Sequence, residues 1–341
     1  MAMKITYGPW GQSLGEMAEA ARAAEQAGAE TVWAPEMHRS ATISAAALAA
    51  ATETARVGTA IVLAFTRSPM VTALEALDLD ELSDGRFILG LGTGVQRLNE
   101  SWHNARWGRP VPHLRETVRD IRAFVATSHT GQPISLEGEF EPMSINGYER
   151  PWPPVREAIP IYLGAMGPAM TKLAGEIGDG WISHELCSPR YLKQELLPWL
   201  EEGAIRGGRT IAEVDVVVSA LCAISPDASA AKRWAAGTVG FYASVRTYQD
   251  FFAFHGLGEG QAKVIERFRS GVGADYLADA VSDEMVDALT LAGTGAEVKS
   301  RLRSYDGLAN TIKLTPPTHG LRPEETRNCQ EEILNLIPEL V

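Results

Sequence analysis

The sequence predicts an α/β protein whose eight parallel strands close into a (β/α)8 TIM barrel. Apolar, β-rich runs alternate with helix-like segments along most of the 341 residues, and this alternation predicts a parallel sheet covered by helices. Eight such units suffice to close a barrel. An open, doubly wound sheet is the alternative, but the turn after the first strand lacks the G-x-G-x-x-G pattern of nucleotide-binding sheets of that kind.

The first strand and helix set the pattern for the rest of the chain. Strand Lys4–Tyr7 is followed by Ser13 and, three residues later, Glu16, a spacing that predicts a capping box at the start of a helix. Apolar residues then recur at helical spacing as far as residue 24, and Gly28 stands where a helix C-terminus favours glycine.

The remaining strands and helices follow in alternation. Apolar and β-branched runs predict strands over residues 30–34, 57–63, 86–91, 160–164, 180–184, 214–224 and 310–314. Helical periodicity and start signals predict helices over residues 40–55, 68–84, 113–128, 168–177, 189–206 and 324–336.

Two segments interrupt the alternation. Residues 130–154 are rich in glycine and proline, which predicts an inserted segment with a short hairpin between the fourth and fifth strands. Residues 227–305 predict a long, mostly helical insertion over the barrel mouth. No low-complexity linker divides the chain, so we expect residues 1–341 to form one domain with insertions at its C-terminal rim.

Composition excludes several classes of function. The formal net charge of −12 disfavours binding to nucleic acid or to anionic membranes, so neither is an expected partner. The three cysteines, Cys187, Cys222 and Cys329, form no C-x-x-C pair, and the histidines show no metal-ligand spacing, so we expect no metal site. The first residues lack a signal-peptide pattern and no apolar stretch is long enough to span a bilayer, so a cytoplasmic location is expected.

Candidate acid and base groups follow two of the predicted strands. The active site of a TIM barrel lies at the carboxyl ends of its strands. Glu36 and His38 follow the second strand, where a carboxylate and an imidazole are suited to proton transfer. His184 ends the sixth strand and is a further catalytic candidate. A solvated loop is the alternative interpretation for the first two residues, and a structural histidine for the third.

Small residues follow the fourth and fifth strands. Gly92-Thr93-Gly94 would let a cofactor approach the backbone closely, although a tight turn alone would also explain the glycines. Ala165-Met166-Gly167 leads directly into a helix that begins with proline. Free N–H groups and the helix dipole favour phosphate at such a helix N-terminus.

Several segments resemble one known family in both sequence and spacing. They are G-T-A-I at 58–61, T-R-S-P at 66–69, E-L-S-D-G-R-F at 81–87, L-G-L-G-T-G at 89–94, P-I-Y-L-G-A-M-G-P at 160–168 and L-A-G-E-I-G-D-G at 173–180. Together they resemble the luciferase-like flavin and deazaflavin superfamily, and most closely its branch that depends on coenzyme F420. The resemblance extends from about residue 4 to residue 314.

The resemblance implies a cofactor site and its residues. It implies a non-proline cis peptide between Ala60 and Ile61, forming a bulge behind the deazaflavin ring. It also implies contacts to the cofactor from Thr93, Gly94 and Asn99. The loop Ala165-Met166-Gly167 would take the phosphate. The implied cofactor is F420, with FMN as the alternative, and the implied assembly is a homodimer.

Two departures from the family's sugar-phosphate dehydrogenases bear on the substrate. Those enzymes carry Asp-His where this chain has Glu36-Met37, and a glutamate where it has Gln96. We therefore expect hydride transfer between F420 and another small organic substrate, a carbonyl, imine or enone. Glu36 or His38, and secondarily His184, would handle the proton. An FMN-dependent monooxygenase and a non-catalytic cofactor-binding protein are the alternative hypotheses.

Overall fold

The computed structural model describes residues 3–341 and confirms the predicted fold class, since eight parallel strands close into a barrel. The strands are Lys4–Tyr7, Thr31–Ala34, Arg56–Thr59, Val62–Leu63, Phe87–Gly92, Ile134–Leu136, Met143–Ile145, Ile161–Gly164, Gly180–Ile182, Asp215–Ile224, Leu291–Gly293 and Thr311–Thr315. The α-helices are Leu14–Gln26, Ala41–Ala51, Pro69–Leu82, Pro110–Thr127, Pro168–Ile177, Pro189–Tyr191, Leu197–Arg206, Ala228–Ala243, Gln249–Phe254, Gly258–Arg269, Asp283–Leu289, Gly295–Leu302 and Pro323–Leu336.

The first helix begins and ends where the sequence predicts a cap. The Ser13 hydroxyl accepts a hydrogen bond from the Glu16 backbone N–H at 3.1 Å, which satisfies one of the free donors of the first turn. The Glu16 carboxylate accepts from the N–H of Gln12 at 2.8 Å, so it bonds one residue earlier than the capping box predicts. Gly28, with φ of +103°, follows this helix in a conformation that favours glycine.

Contacts divide the chain into two compact units. The first comprises residues 1–29, 183–197 and 217–341, of which residues 1 and 2 lie outside the described part. Within it, strand Thr311–Thr315 pairs in parallel with Lys4–Tyr7 and with the central part of Asp215–Ile224. The single-domain organisation expected from the sequence stays a prediction.

The second unit comprises residues 30–182 and 198–216. Its barrel strands all pair in parallel, in the order Thr31–Ala34, Arg56–Thr59 with Val62–Leu63, Phe87–Gly92, Ile161–Gly164 and Gly180–Ile182. Nearly all their residues are buried, as expected for strands covered on both faces. Because the strands are parallel and in register, their carboxyl ends and the loops that follow them meet at one edge.

The two interruptions in the pattern differ in how well they were predicted. The hairpin in residues 130–154 is confirmed, since Ile134–Leu136 pairs antiparallel with Met143–Ile145. The region 227–305 is mostly helical as predicted, but it also contains a short strand, Leu291–Gly293, which pairs with Cys222 to Ile224. Three residues are too few to show a period in the sequence, which is why the strand was missed.

Within residues 3–341 none of the helices combines the length and apolar character needed to span a membrane. Over the same residues, no cluster of three or more His, Cys, Asp or Glu side chains could hold a metal ion. The three cysteines are buried free thiols.

Candidate active site

The third barrel strand is interrupted by a bulge. Gly58 lies opposite Ile88 and Val62 opposite Leu91, so three residues of one strand face two of its neighbour. The peptide between Ala60 and Ile61 is cis, as the resemblance implies. The strand predicted over residues 57–63 is therefore two strands, because the backbone ladder stops at Thr59 and resumes at Val62.

The side chain of Thr59 replaces the missing ladder bonds beside the bulge. Its hydroxyl donates to the Gly90 carbonyl and accepts from the Gly90 N–H, both at 2.9 Å. A Cβ at position 90 would lie 1.8 Å from the Thr59 carbonyl oxygen, so only glycine fits there. The buried polar groups at the break in the ladder are thus paired within the bulge itself.

Ile61 lies over the carboxyl ends of the next two strands. A Cβ at Gly92 would lie 2.9 Å from Ile61 Cδ1, and one at Gly164 would lie 2.9 Å from Ile61 Cγ2. Real Cβ atoms do not approach so closely, so both glycines leave the space that Ile61 occupies. Ala60 and Ile61 are themselves only half-buried, so the bulge presents an apolar surface at this edge.

The loop after Gly92 turns back on itself through Asn99. The Asn99 amide nitrogen donates to the carbonyls of Thr93 at 2.7 Å and Val95 at 3.0 Å. Gly94 is exposed with φ of +62°, and this left-handed conformation explains the glycine. The side-chain oxygen Asn99 Oδ1 is buried and accepts no hydrogen bond from the described residues. An unpaired buried acceptor is costly, so the loop has an open place for a donor.

The loop Ala165 to Gly167 is held at one end and open at the other. The Ala165 N–H donates to the Ile182 carbonyl at 3.2 Å, and its carbonyl accepts from the Trp181 indole N–H at 2.9 Å. Gly167 caps helix Pro168–Ile177 without any side-chain cap. No atom lies within 4 Å of a Cβ placed at Gly167. The free end of the loop can therefore accept a ligand at the helix N-terminus.

Glu36 is bound on both of its carboxylate oxygens. Oε1 lies 2.5 Å from Arg67 Nη2, and Oε2 lies 3.1 Å from Arg67 Nη1. Oε2 also accepts from the Leu63 backbone N–H at 2.7 Å. The Glu36 side chain is only 9% exposed. It therefore links the loop after the second strand to the segment that follows the bulge, in the bidentate geometry typical of strong Arg–carboxylate pairs.

A second carboxylate lies on the other side of Arg67. Glu75 Oε2 is 3.5 Å from Arg67 Nε, and burial raises the pKa of Glu75 despite the nearby guanidinium. The hydrogen bond to Glu36 raises the pKa of Arg67 above its usual value. Arg67 thus stays charged. His38, by contrast, is exposed.

His184 lies in the first unit, two residues beyond strand Gly180–Ile182, which ends earlier than predicted. Its Nδ1 accepts a hydrogen bond from the Leu186 N–H at 3.2 Å, so the neutral ring carries its proton on Nε2. Burial lowers the pKa of His184 to about 4. Nε2 is buried and makes no hydrogen bond to the described residues.

The predicted site residues therefore lie in both units, with His184 in the first and all the others in the second. In the second unit, the structure places Ile61 near Gly92 and Gly164, and Thr93 and Gly94 near Asn99. Met166 is half-buried in the loop with Ala165 and Gly167. Sequence reasoning missed the partner of Glu36, because composition shows no chemistry after the third strand. The segment T-R-S-P at 66–69, one of those that resemble the family, contained the signal, namely Arg67 itself.

Comparisons with known proteins agree with this fold. The family model described as luciferase-like monooxygenase matches residues 2–311. The 5,10-methylenetetrahydromethanopterin reductase of Methanolobus tindarius is 30% identical over 293 residues, which cover 84% of this chain and 85% of that protein. The F420-dependent glucose-6-phosphate dehydrogenase of Microbacterium testaceum is 32% identical over 183 residues, 53% of each chain.

A solved structure shows the same fold over the whole chain. The coenzyme F420-dependent tetrahydromethanopterin reductase from Methanopyrus kandleri superposes with a TM-score of 0.83 at 22% identity, covering 99% of this chain and 100% of that chain.

Proposed function

This chain belongs to the luciferase-like monooxygenase family, and on that basis we propose that it is an oxidoreductase that uses coenzyme F420. The proposed reaction transfers a hydride between the deazaflavin and a small organic substrate such as a carbonyl, imine or enone. Two relatives whose names specify a reductase or an F420-dependent dehydrogenase support the proposal. Glu36-Met37 and Gln96 differ from the sugar-phosphate dehydrogenases of the family, so glucose 6-phosphate is not the substrate we propose.

The observation that carries the proposal is the alignment of three loops at one edge of the second unit. Leu63 lies opposite Gly92, and Gly92 lies opposite Gly164, so the loops that follow begin side by side. The half-buried bulge, the loop closed by Asn99 and the open helix N-terminus therefore follow adjacent strands. A flat ring with a phosphate-bearing side chain needs these three features: an apolar backing, a polar edge and an anion site.

The residues present fit the cofactor on a specific ground. Asn99 Oδ1 is a buried acceptor without a donor among the described residues, and the deazaflavin ring has an N–H group to offer. Ala60 and Ile61 would back the ring, and Thr93 and Gly94 would border it. The loop Ala165-Met166-Gly167 would bind the phosphate. When bound, F420 supplies a hydride donor or acceptor at C5 of its ring, and the protein supplies position and electrostatics.

The proton that accompanies the hydride needs a side chain that can release it. Both oxygens of Glu36 already accept hydrogen bonds from Arg67 and Leu63, so we propose that Glu36 is a positioning residue for the bulge rather than the proton donor. His38 is exposed and remains a candidate for proton transfer, as does His184.

The proposal is tested by titrating the purified chain with F420 and, separately, with FMN, and by following cofactor fluorescence. We expect F420 to bind and reduced F420 to be oxidised by members of a panel of ketones, imines and enones. Binding of FMN alone, with oxygen consumption, would instead support a flavin monooxygenase. Tight F420 binding without turnover across the panel would support a non-catalytic cofactor-binding protein.

We also propose that the chain forms a homodimer, on the basis of an apolar face in the second unit. Helices Ala41–Ala51 and Pro69–Leu82 pack together, and both have apolar residues on their outer side. Ile43 is 59% exposed and Val71 is 44% exposed, while Ala46, Ala47 and Ala50 continue the face along the first helix. An identical apolar face on a second copy of the chain is the occupant that we propose.

A further inference from the structure

A lysine is buried inside the first unit without a partner for its charge. Lys313 lies in strand Thr311–Thr315 and its residue exposure is only 4%. Within residues 3–341, no carboxylate oxygen lies within 4.0 Å of its ammonium group. The Cε atom lies 3.3 Å from a Cβ that would be added at Gly8, so the lack of a side chain at position 8 makes room for the lysine. Buried charges normally have a partner.

A cluster of four polar or aromatic side chains lies in the same unit. It comprises His184 and Glu185, which interact electrostatically with Lys313, and Tyr242 and Tyr248, which contact the His184 ring. His184 packs edge-on against Tyr242 with ring centres 4.2 Å apart and lies 4.9 Å from Tyr248. The Tyr242 hydroxyl donates to Glu185 Oε2 at 3.4 Å. Burial lowers the pKa of Lys313, and the charge of Glu185 opposes that shift. His184, Glu185, Tyr242 and Tyr248 are each partly exposed, although the Nε2 atom of His184 is itself buried.

The cluster has more donors than acceptors. His184 Nε2–H has no acceptor among the described residues, and neither does the Lys313 ammonium. Glu185 is the only carboxylate of the cluster, and it already accepts from Tyr242. Neither donor lies within hydrogen-bond distance of a carboxylate oxygen in the described residues, which leaves a place for an additional anionic oxygen.

We propose that His184 and Lys313 form a subsite for the carboxylate group of a small acid, with the rings of Tyr242 and Tyr248 against its apolar part. Lys313 compensates the charge and His184 Nε2–H donates a hydrogen bond. The aromatic edges favour a planar, unsaturated acid over a saturated one. The subsite lies within the first unit, and its binding of an acid does not depend on the proposed function.

The test uses the full chain without cofactor, with benzoate as the probe and benzamide as its uncharged analogue, both measured by isothermal titration calorimetry. We expect benzoate to bind and benzamide to bind about tenfold more weakly, because only benzoate compensates the ammonium. Lys313→Met should weaken benzoate binding by about tenfold or more. The same substitution at Lys299, an exposed lysine that pairs with Glu339 at 2.9 Å, should leave binding unchanged.

Further measurements separate a binding role from a structural one. Methionine fills a buried site without an unpaired charge, so Lys313→Met should melt at the same temperature as the parent chain or higher. If that variant does not fold, His184→Asn is the second test. Its side-chain oxygen can still accept from Leu186, but it lacks the Nε2–H donor, and benzoate binding should again weaken.

Two results would overturn the subsite. One is the absence of benzoate binding to the parent chain, and the other is equal binding by the parent and the Lys313 and His184 variants. A parallel F420 titration distinguishes the two proposals. Benzoate binding without F420 binding would refute the proposed cofactor and keep the subsite, and the reverse result would do the opposite.

Discussion

Arg67 binds the Glu36 carboxylate through two nitrogen atoms, with Nη2 at 2.5 Å from Oε1 and Nη1 at 3.1 Å from Oε2. This pair joins two loops that are 31 residues apart in the chain. Since the same carboxylate accepts from the Leu63 N–H, the pair also determines where the chain goes after the bulge. We therefore propose that Glu36, which the sequence suggests as an acid or base, supports the proposed cofactor site.

Removing the charge of Glu36 should destabilise the site. In Glu36→Gln, Arg67 keeps only Glu75 as an anionic neighbour, and a largely buried guanidinium loses its bidentate partner. We expect a loss of about 2 kcal/mol in the free energy of unfolding, together with weaker F420 binding. Thermal melts and F420 titration measure the two effects.

Glu202→Gln, which alters a surface pair with Arg206, is the control and should change neither. A variant with normal stability and cofactor affinity but no turnover would instead show Glu36 acting in proton transfer.

A methyl group at Gly92 should displace Ile61. The added Cβ would lie 2.9 Å from both Cδ1 and Cγ1 of Ile61, so the bulge must shift. Overpacking of this kind costs about 1–3 kcal/mol, and we expect F420 affinity to fall in parallel. Gly258→Ala is the matched control, because nothing lies within 4 Å of its added Cβ and alanine is favoured in a helix. Unchanged cofactor affinity in Gly92→Ala would argue against the bulge as the backing of the ring.

Asn99→Ala tests the unpaired acceptor in the loop after Gly92. The substitution removes Oδ1 and also the two bonds that the amide donates to Thr93 and Val95. We expect F420 affinity to fall about tenfold, measured by fluorescence titration, and the melting temperature to fall. Gln96→Ala is the control, since Gln96 is exposed in the same loop and bonds only to Glu100, at 3.1 Å. Equal F420 binding by both variants would remove Asn99 from the cofactor site.

The depressed pKa of His184 predicts a dependence of stability on pH. The unfolded chain binds the proton near pH 6.5, whereas the folded chain binds it only near pH 4, because burial disfavours the charged ring. The contribution is therefore fully present above pH 6.5 and is lost as the pH falls towards 4, amounting to about 3 kcal/mol.

Thermal melts between these two pH values should show the loss, and His184→Asn should reduce it. Burial also lowers the pKa of His255, so only the difference between the parent chain and the variant reports on His184. Parallel curves for the two proteins would contradict the prediction.

Charged residues on the apolar face should prevent the proposed dimer. Ile43 and Val71 each lie in the first turn of a helix, where a glutamate is favoured by the helix dipole. The double substitution Ile43→Glu and Val71→Glu should therefore keep the fold and yield a monomer in light scattering coupled to size-exclusion chromatography. Val155→Glu, at an exposed apolar residue of the same unit, should leave the dimer intact. A parent chain that elutes as a monomer would refute the assembly.

The sequence by itself determined the fold class and predicted the places where ligands would bind. Local periodicity is enough to predict alternating strands and helices. Glycines at positions such as 92 and 94 indicate close approaches that only a small residue permits. The cis peptide at Ala60–Ile61 followed from family resemblance, and the structure shows it.

Only the tertiary structure decided what each polar side chain does. Glu36 and Arg67 are 31 residues apart, and Lys313 lies far along the chain from His184, so no local pattern could pair or separate them. Whether a carboxylate is free, a histidine neutral or a lysine unpartnered depends on burial and on neighbours from distant segments. These properties arise when the strands assemble, which is why the positioning role that we propose for Glu36 and the cluster near Lys313 were not foreseen.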